Sequence, residues 1–397
     1  MKIGAIIDYD VTAGGGINQA LNAILQMARL VEGRHEFAVF SCMADNVAYL
    51  KKLGVEGHLF TSGWRDKLIS MSALIEPGRR LQRRFQLVGE LERGLIAHNV
   101  DLVYFVTPTS RCMVLQKLNY IMTVWDLAHR DTPEFPEVRE FQTFFTRERL
   151  YQYCLGPALL VLADSDALMA KMASRYGLDP ERVLAMPFSS APFTDKRLAA
   201  DTSSVQNKYG LEGGYFFYPA QFWPHKNHVR VVQALAMLRD RGMDARVDFA
   251  GSNQGNQEHV RARAAELKVE DRVTFLGFVP AEDMRGLYRG CRAVVMPTYF
   301  GPTNLPPLEA WGLGKPLIYS EHLSGQAGDA ALLVDPDDPV ALADAMQAVH
   351  DPDVAQGLVE RGYQRLREMD RMRDEAEAQL SQRLERFDRR RQCWGVV

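Results

Sequence analysis

The chain has 397 residues, 47% of them apolar and 24% charged. That balance excludes disordered, collagen-like and purely fibrous proteins, and the length is roughly twice what one hydrophobic core organises, so two domains with a cleft between them are expected. Forty-seven basic against fifty acidic residues give a net charge of −3, which does not describe a nucleic-acid binder.

Five scattered cysteines, none in a C-x-x-C pair, indicate neither a disulfide framework nor a zinc site and fit a reducing compartment. The opening MKIGAIIDYD is too short for a signal segment, and no apolar run approaches the roughly 18 residues of a membrane span. A soluble, cytoplasmic protein is expected.

Short β-rich runs alternate with helical patterns along the whole chain, which predicts an α/β protein whose parallel sheets are covered by crossover helices. Strands are predicted at Lys2 to Tyr9, Glu36 to Ser41, Gly57 to Phe60, Asp101 to Thr107, Tyr120 to Trp125, Ala158 to Ala163 and Val183 to Pro187. Between the first two, Ile17, Leu21, Ile24, Leu25, Ala28 and Val31 share one face of a helix from about Gly16 to Val31. The text turns polar and Gly/Ser-containing from Ala199 to Gly214, and the domain boundary is placed there.

The pattern then resumes with strands at Tyr215 to Pro219, Ala245 to Gly251, Arg272 to Phe278, Arg292 to Pro297 and Pro316 to Ser320, and helices between them. In a following β-α pair, Asp338 and Pro339 read as the N-cap and first-turn residues of a helix running to His350. Residues 353–391, rich in Arg, Glu, Ala and Leu, predict a last helix longer than one sheet requires. It either returns to the first domain or stands as a solvated helix with a frayed tail.

Chemistry concentrates at strand ends. In TYFGPTNLPPLEAWGLGKPLIYS (Thr298 to Ser320) a Gly/Pro-rich turn leads into a helix starting near Asn304, which aims unpaired N–H groups and the positive end of the helix dipole at the carboxyl edge of the sheet. Glu309 lies on that helix, placed either to accept two hydrogen bonds from a ribose diol or to compensate the dipole. YPAQFWPHKNH (Tyr218 to His228) brings Lys226 to another strand end, a point charge suited to phosphate. His225 and His228 lack a third metal ligand nearby, so helix-start capping is their expected role.

Two D-x-D triplets, Asp8 to Asp10 and Asp164 to Asp166, end strands. The second coincides with the start of a helix and reads as an N-cap. Gly14, Gly15 and Gly16 do not form G-x-G-x-x-G; next to Asn18 and Gln19 they read as a turn where a ligand approaches the backbone. PGRRLQRRFQ (residues 77–86), with Trp64 upstream, is either a contact for anionic lipid or a solvated helix face.

Across nearly its whole length the chain resembles the retaining glycosyltransferases of family 4, most specifically in FYPAQFWPHKNH, FLGFVP and FGPTNLPPLEAWGLGKP, and also in TVWDLAHRDTPEFPE and LADSDALMAKMASRYG. The resemblance implies the GT-B architecture: an acceptor-binding Rossmann-like domain over 1–200, a nucleotide-sugar-binding one over 201–370, and a C-terminal helix and tail over 371–397 that packs on the first domain. It implies a role in cell-surface polysaccharide or lipopolysaccharide synthesis, with mannose or another hexose or deoxyhexose moved from a GDP- or UDP-sugar to a glycan or lipid-linked acceptor.

No cofactor, metal or nucleic acid is implied, and a cytoplasmic protein is expected, with 77–86 as the candidate segment for peripheral contact with the inner face of the plasma membrane. By the same resemblance Lys226 meets the donor diphosphate and Glu309, the second glutamate of E-x7-E, the ribose. Asp126 and His129 join them as catalytic residues, with a structural histidine as the alternative for His129. Gly15, Gly16, Gln221, Thr303, Asn304 and Leu305 complete the donor site.

Two positions depart from the family pattern. Gly301 stands where the first glutamate of E-x7-E falls, and Gln221 where an arginine is common, so the backbone of Thr303, Asn304 and Leu305 has more to do. A nucleotide-sugar epimerase, or a catalytically weakened nucleotide-sugar-binding scaffold, are the competing readings on the same fold.

Overall fold

The structure is a computed structural model that describes residues 1–8, 15–61, 63–73, 75–85, 87–139, 141–194, 202–301 and 303–394. They fall into two compact units, one formed by Met1–His129, Phe141–Phe188 and Met372–Val397, the other by Arg130–Glu140 and Ser189–Arg371. The helix Pro352–Arg391 contributes to both.

In the first unit β1 (Lys2–Ile7), β2 (Glu36–Ser41), β3 (Gly57–Leu59), β4 (Leu102–Phe105), β5 (Asn119–Val124), β6 (Leu160–Ala163) and β7 (Val183–Ala185) form one parallel sheet. Its order is β3-β2-β1-β4-β5-β6-β7. The central segments are apolar runs because helices cover both faces and leave no wet side to alternate with, whereas the edge strand β3 is partly exposed. One face carries Phe40, Val103, Phe105, Met122 and Val161 beneath Tyr151 and Leu91; the other carries Ile3, Ala5, Leu102, Ile121 and Leu160 beneath Ile24, Leu380 and Leu384. The last two belong to the terminal helix, whose final half packs on the first unit through this core.

The second unit repeats the plan. β8 (Phe216–Pro219), β9 (Val247–Ala250), β10 (Val273–Gly277), β11 (Ala293–Met296), β12 (Leu317–Ser320) and β13 (Leu332–Val334) form a parallel sheet ordered β10-β9-β8-β11-β12-β13. In each sheet the strand order reverses once, between β1 and β4 and between β8 and β11. At such a point successive crossovers leave on opposite faces and open a crevice at the carboxyl ends of the strands, where doubly wound folds bind ligands.

Local signals act where the sequence placed them. Asp338 accepts hydrogen bonds from the amides of Val340 (2.8 Å) and Ala341 (3.1 Å), with Pro339 at the start of the helix Pro339–Ala348. Ser165 caps the helix Asp166–Tyr176 through the Leu168 amide at 3.3 Å, and donates to Asp164 at 2.8 Å. The polar stretch read as a boundary contains a helix, Thr202–Tyr209. It is held by Lys208 Nζ and the Tyr209 hydroxyl on Asp283, at 2.6 and 2.7 Å. Among the described residues no helix is long and apolar enough to cross a membrane.

Candidate functional site

The loops that follow β8 and β11 meet at the switch point of the second sheet. After β8 the chain makes a short 3-10 turn, Pro224–Lys226, and passes through Asn227 at φ +58° before the helix His228–Asp240. The turn is clamped from beneath and beside: the Tyr218 hydroxyl donates to the Lys226 carbonyl at 2.6 Å, and Tyr299 N–H to the His225 carbonyl at 2.9 Å. Asn227 Nδ2 reaches the Pro297 carbonyl at 3.0 Å and the Pro336 carbonyl at 2.8 Å. One side chain thereby ties the loops after β8, β11 and β13 together.

This stitching brings Lys226 Nζ to 3.1 Å from Asn304 Oδ1. Asn304 is the N-cap residue of the helix Leu305–Gly312, and its side chain does not bond the helix's own first amides. It faces outward into a buried polar network instead. Asn304 Nδ2 donates to the Gly301 carbonyl (2.9 Å) and the Tyr319 oxygen (2.6 Å). Gln326 accepts the Asn304 amide at 3.0 Å and the Tyr319 hydroxyl at 2.9 Å, and returns a bond to the Asn304 carbonyl at 2.7 Å. Thr303, Asn304 and Leu305 are all buried.

Glu309 is the fifth residue of that helix, beyond the first turn where a carboxylate compensates the dipole. It is 5% exposed, and the Tyr288 hydroxyl donates to its Oε2. Burial pushes its carboxyl up to about 7, and the Tyr288 bond only partly opposes the shift. Gln221 accepts the Trp223 indole N–H at 3.1 Å. Gly301 has φ +114°, and a β-carbon there would lie 2.8 Å from Asn304 Oδ1.

The two histidines of this loop go separate ways. His225 stacks on Phe300 with ring centroids 3.7 Å apart, and its Nδ1 lies 2.5 Å from Glu137 Oε1. His228 is sandwiched between Tyr218 and Phe222, at 4.6 and 4.4 Å, and burial pulls its imidazole down to about 3. Burial pushes the Glu137 carboxyl up, but the His225 bond and backbone amides outweigh it and hold the group below its ordinary value. Among the described residues no group of three His, Cys, Asp or Glu side chains is arranged to hold a metal.

Asp126 and His129 follow β5 in the first unit. Asp126 Oδ1 accepts the Ala128 amide at 2.8 Å and the Arg147 guanidinium at 2.7 Å. Burial opposes ionisation there, but Arg147 and the amide hold the carboxyl below its ordinary range. His129 is wholly buried, edge-on to Phe144 and Tyr151, with Nε2 3.2 Å from Glu148 Oε2. Burial, then Arg147, lowers its imidazole. Gly15 and Gly16 open the helix Gly15–Val31 after β1; Gly14 and Asp10 lie outside the described residues. Asp8, at the carboxyl end of β1, accepts from Thr109 at 3.1 Å and lies 2.7 Å from Arg111 Nε.

Sequence reasoning missed Tyr288, Gln326, Tyr319 and Glu137. Tyr288, Gln326 and Glu137 lie 21, 22 and 88 residues from the partners they meet and carry no local signal; Tyr319 lies within the segment singled out, but as a strand residue it gives no sign of its bond to Asn304.

Two doubly wound parallel sheets, the second carrying a cation and a helix N-terminus at its switch point, define the class: the fold is GT-B. It is shared over nearly the whole chain with HepE of Anabaena, solved in complex with UDP and glucose, at a TM-score of 0.71 and 18% identity, covering 96% of this chain and 100% of that one.

Residues 214–351, which hold Lys226, Asn304 and Glu309, match the family model for glycosyl transferases group 1. The resemblance read from the sequence is thus borne out. Among curated relatives, O-antigen chain mannosyltransferase B of Escherichia coli is 28% identical over 212 residues, 51% of this chain and 55% of that protein. D-inositol 3-phosphate glycosyltransferase of Pseudarthrobacter chlorophenolicus is 29% identical over 206 residues, 49% and 48%. The chain thus spans about half the length of the curated relatives it matches.

Proposed function

We propose that this chain is a retaining glycosyltransferase that moves a hexose or deoxyhexose, mannose among them, from a nucleotide-diphosphate sugar to a hydroxyl of a glycan or lipid-linked acceptor. The product belongs to cell-surface polysaccharide synthesis. The observation that carries the reading is the convergence of Lys226 Nζ and Asn304 Oδ1, 3.1 Å apart at the start of the helix Leu305–Gly312, on the switch point between β8 and β11.

In this reading the donor pyrophosphate lies on the Lys226 ammonium and on the backbone of residues 303 and 305, the Asn304 amide being held by Gln326, so that helix N-terminus and point charge act together. Tyr288 holds one oxygen of Glu309 and the other accepts from the ribose diol. Gln221 lines the donor side. In the first unit, Gly15 and Gly16 form the turn where a ligand approaches the backbone, and Asp126 is among the acceptor-binding groups. The second unit holds the donor.

The reaction breaks the bond between the anomeric carbon and the β-phosphate oxygen. Charge builds on the leaving diphosphate, and Lys226 and the amides stabilise it where it develops. The acceptor hydroxyl attacks the same face of the sugar, and its proton passes to the departing phosphate oxygen. The protein works at the cytoplasmic side of a membrane that segment 77–86 contacts.

A melting-temperature screen with nucleoside diphosphates and GDP- and UDP-sugars tests the donor site, since a ligand of the folded state raises the midpoint by mass action. Transfer to an acceptor panel, with the product anomer read by NMR, tests the reaction. Binding without turnover across the panel supports the scaffold instead, and epimerisation of free nucleotide sugar supports the epimerase.

A further inference from the structure

In the first unit the helices Trp64–Ala73 and Glu76–Phe85 are consecutive and pack on one another. Their inner side is fixed. Gln82 Nε2 donates to Ser72 Oγ at 2.6 Å and to the Ile69 carbonyl. Asp66 accepts the amides of Glu90 (2.7 Å) and Leu91 (3.1 Å), and Ile69 and Ala73 are buried behind it. Asp66, Ile69 and Ala73 follow the i, i+3, i+7 spacing of one helix face.

A second apolar stripe looks the other way. Trp64, Leu68 and Met71 follow i, i+4, i+7 on the first helix, Ile75 lies in the link that follows it, and Leu81 and Phe85 follow i, i+4 on the next helix; all six are between 54% and 68% exposed. Of seventeen large apolar side chains exposed among the described residues, eight lie between Leu59 and Leu87. Isolated exposed apolar residues are ordinary, but a patch of this kind marks a contact.

Charge identifies the partner. Residues 64–87 hold six basic side chains, Arg65, Lys67, Arg79, Arg80, Arg83 and Arg84, against Asp66 and Glu76, in a chain of net charge −3. Asp66 is buried in its cap, and Glu76 lies 3.5 Å from Arg80. Arg65, Lys67, Arg80 and Arg84 are exposed beside the apolar stripe. A second copy of this chain would set like charges against each other, because a two-fold contact pairs the same patch with itself. An acidic protein would satisfy the cations and leave the apolar stripe wet.

We propose that this helical pair is a docking surface for an anionic phospholipid bilayer. Trp64, Leu68, Met71, Ile75, Leu81 and Phe85 enter the headgroup–acyl boundary while Arg65, Lys67, Arg80 and Arg84 meet lipid phosphates. The inference rests on the peripheral contact proposed above for 77–86 and extends it to a preceding helix that supplies most of the apolar contact. A basic amphipathic surface of this kind binds through apolar burial plus attraction to anionic lipid, so both contributions are required.

The full-length protein is sedimented with vesicles of phosphatidylcholine, with and without phosphatidylglycerol. Sedimentation with the anionic vesicles alone, weakened at roughly 0.5 M salt where the charges are screened, is the expected result. The pairs Trp64→Ser/Phe85→Ser and Arg80→Glu/Arg84→Glu should each reduce partitioning at least ~10-fold with the melting temperature unchanged, since these side chains are exposed.

Equal binding to neutral vesicles, absence of binding, or partitioning of both variants like the parent overturns the proposal. So does a concentration-dependent dimer that the same substitutions dissociate. Nucleoside-diphosphate binding is measured in parallel without vesicles: its loss with sedimentation intact defeats the donor reading alone, and the converse defeats the docking surface alone.

Discussion

Replacing Glu309 by glutamine should stabilise the protein at alkaline pH while weakening donor binding. The carboxyl is 5% exposed and burial raises it from 4.5 to about 7, against the Tyr288 hydrogen bond. A carboxyl raised in the folded state binds its proton more tightly there than in the unfolded chain, so its contribution is complete below pH 4.5 and is lost as the pH climbs through about 7. The difference of about 2.5 pH units corresponds to at most about 3 kcal/mol.

Glutamine keeps the shape and the acceptor for Tyr288 but does not titrate, so the variant escapes that loss. At about 2–4 °C per kcal/mol, the gap in melting temperature should be near zero at about pH 4.5 and open by several degrees at about pH 8. Thermal melts at the two pH values read it directly. A gap that is the same at both would refute the buried, proton-holding carboxyl; an opening gap with unchanged nucleoside-diphosphate affinity would remove Glu309 from the ribose while leaving the burial intact.

Lys226→Ala should lower turnover at least ~100-fold, as expected when a charge that stabilises a leaving anion is removed; steady-state transfer rates check it, and a near-normal rate would exclude the role. Glu137→Gln should cost about 1–2 kcal/mol near neutral pH by replacing the charge-assisted bond to His225 with a neutral one. The cost should fade as the pH drops below 4.5, because a carboxyl lowered in the folded state contributes stability only while it is ionised; urea midpoints at neutral and acid pH decide. Gly301→Ala should cost about 1–3 kcal/mol through its φ of +114° and the approach of Cβ to Asn304, visible as a lower urea midpoint, and a neutral outcome would show that the loop is free to relax.

Twelve of the thirteen strands among the described residues stand where the sequence placed them, and the last, β13, falls in the β-α pair expected after Ser320; strands buried on both faces leave the clearest signal, because no solvent-facing residue interrupts it. Their ends came out a residue or two long, as at Asp101 and Thr107 around β4, since extended backbone continues past the last ladder bond. The helix Thr202–Tyr209 was invisible within polar text. Tertiary contacts make it: Lys208 and Tyr209 bond Asp283, and the absence of a side chain at Gly286 makes room for Val205.

Lys226, Asn304 and Glu309 were legible because helix starts and strand ends are written locally. Gln326 was not, being 22 residues from Asn304, and Glu137 was not, being 88 from His225. Packing alone decides that they meet.

The two departures from the family pattern acquire a common explanation in the geometry. At Gly301 a side chain and the Asn304 carboxamide compete for one space, the nearest approach being 2.8 Å, so glycine there and asparagine three residues on are a single arrangement. The carboxylate that the resemblance would place at 301 is replaced by a neutral amide, which bonds Lys226 without cancelling its charge. At Gln221 the resemblance would place an arginine, and the neutral carboxamide there bonds Trp223 instead. One anion and one cation are therefore missing together, and the net charge offered to a pyrophosphate is the same as in the family pattern. Attraction for the diphosphate depends on that sum and on the helix N-terminus, whereas orientation of the sugar depends on which polar groups surround it. In the function proposed above, the substitutions would thus fall on sugar selection rather than on nucleotide capture.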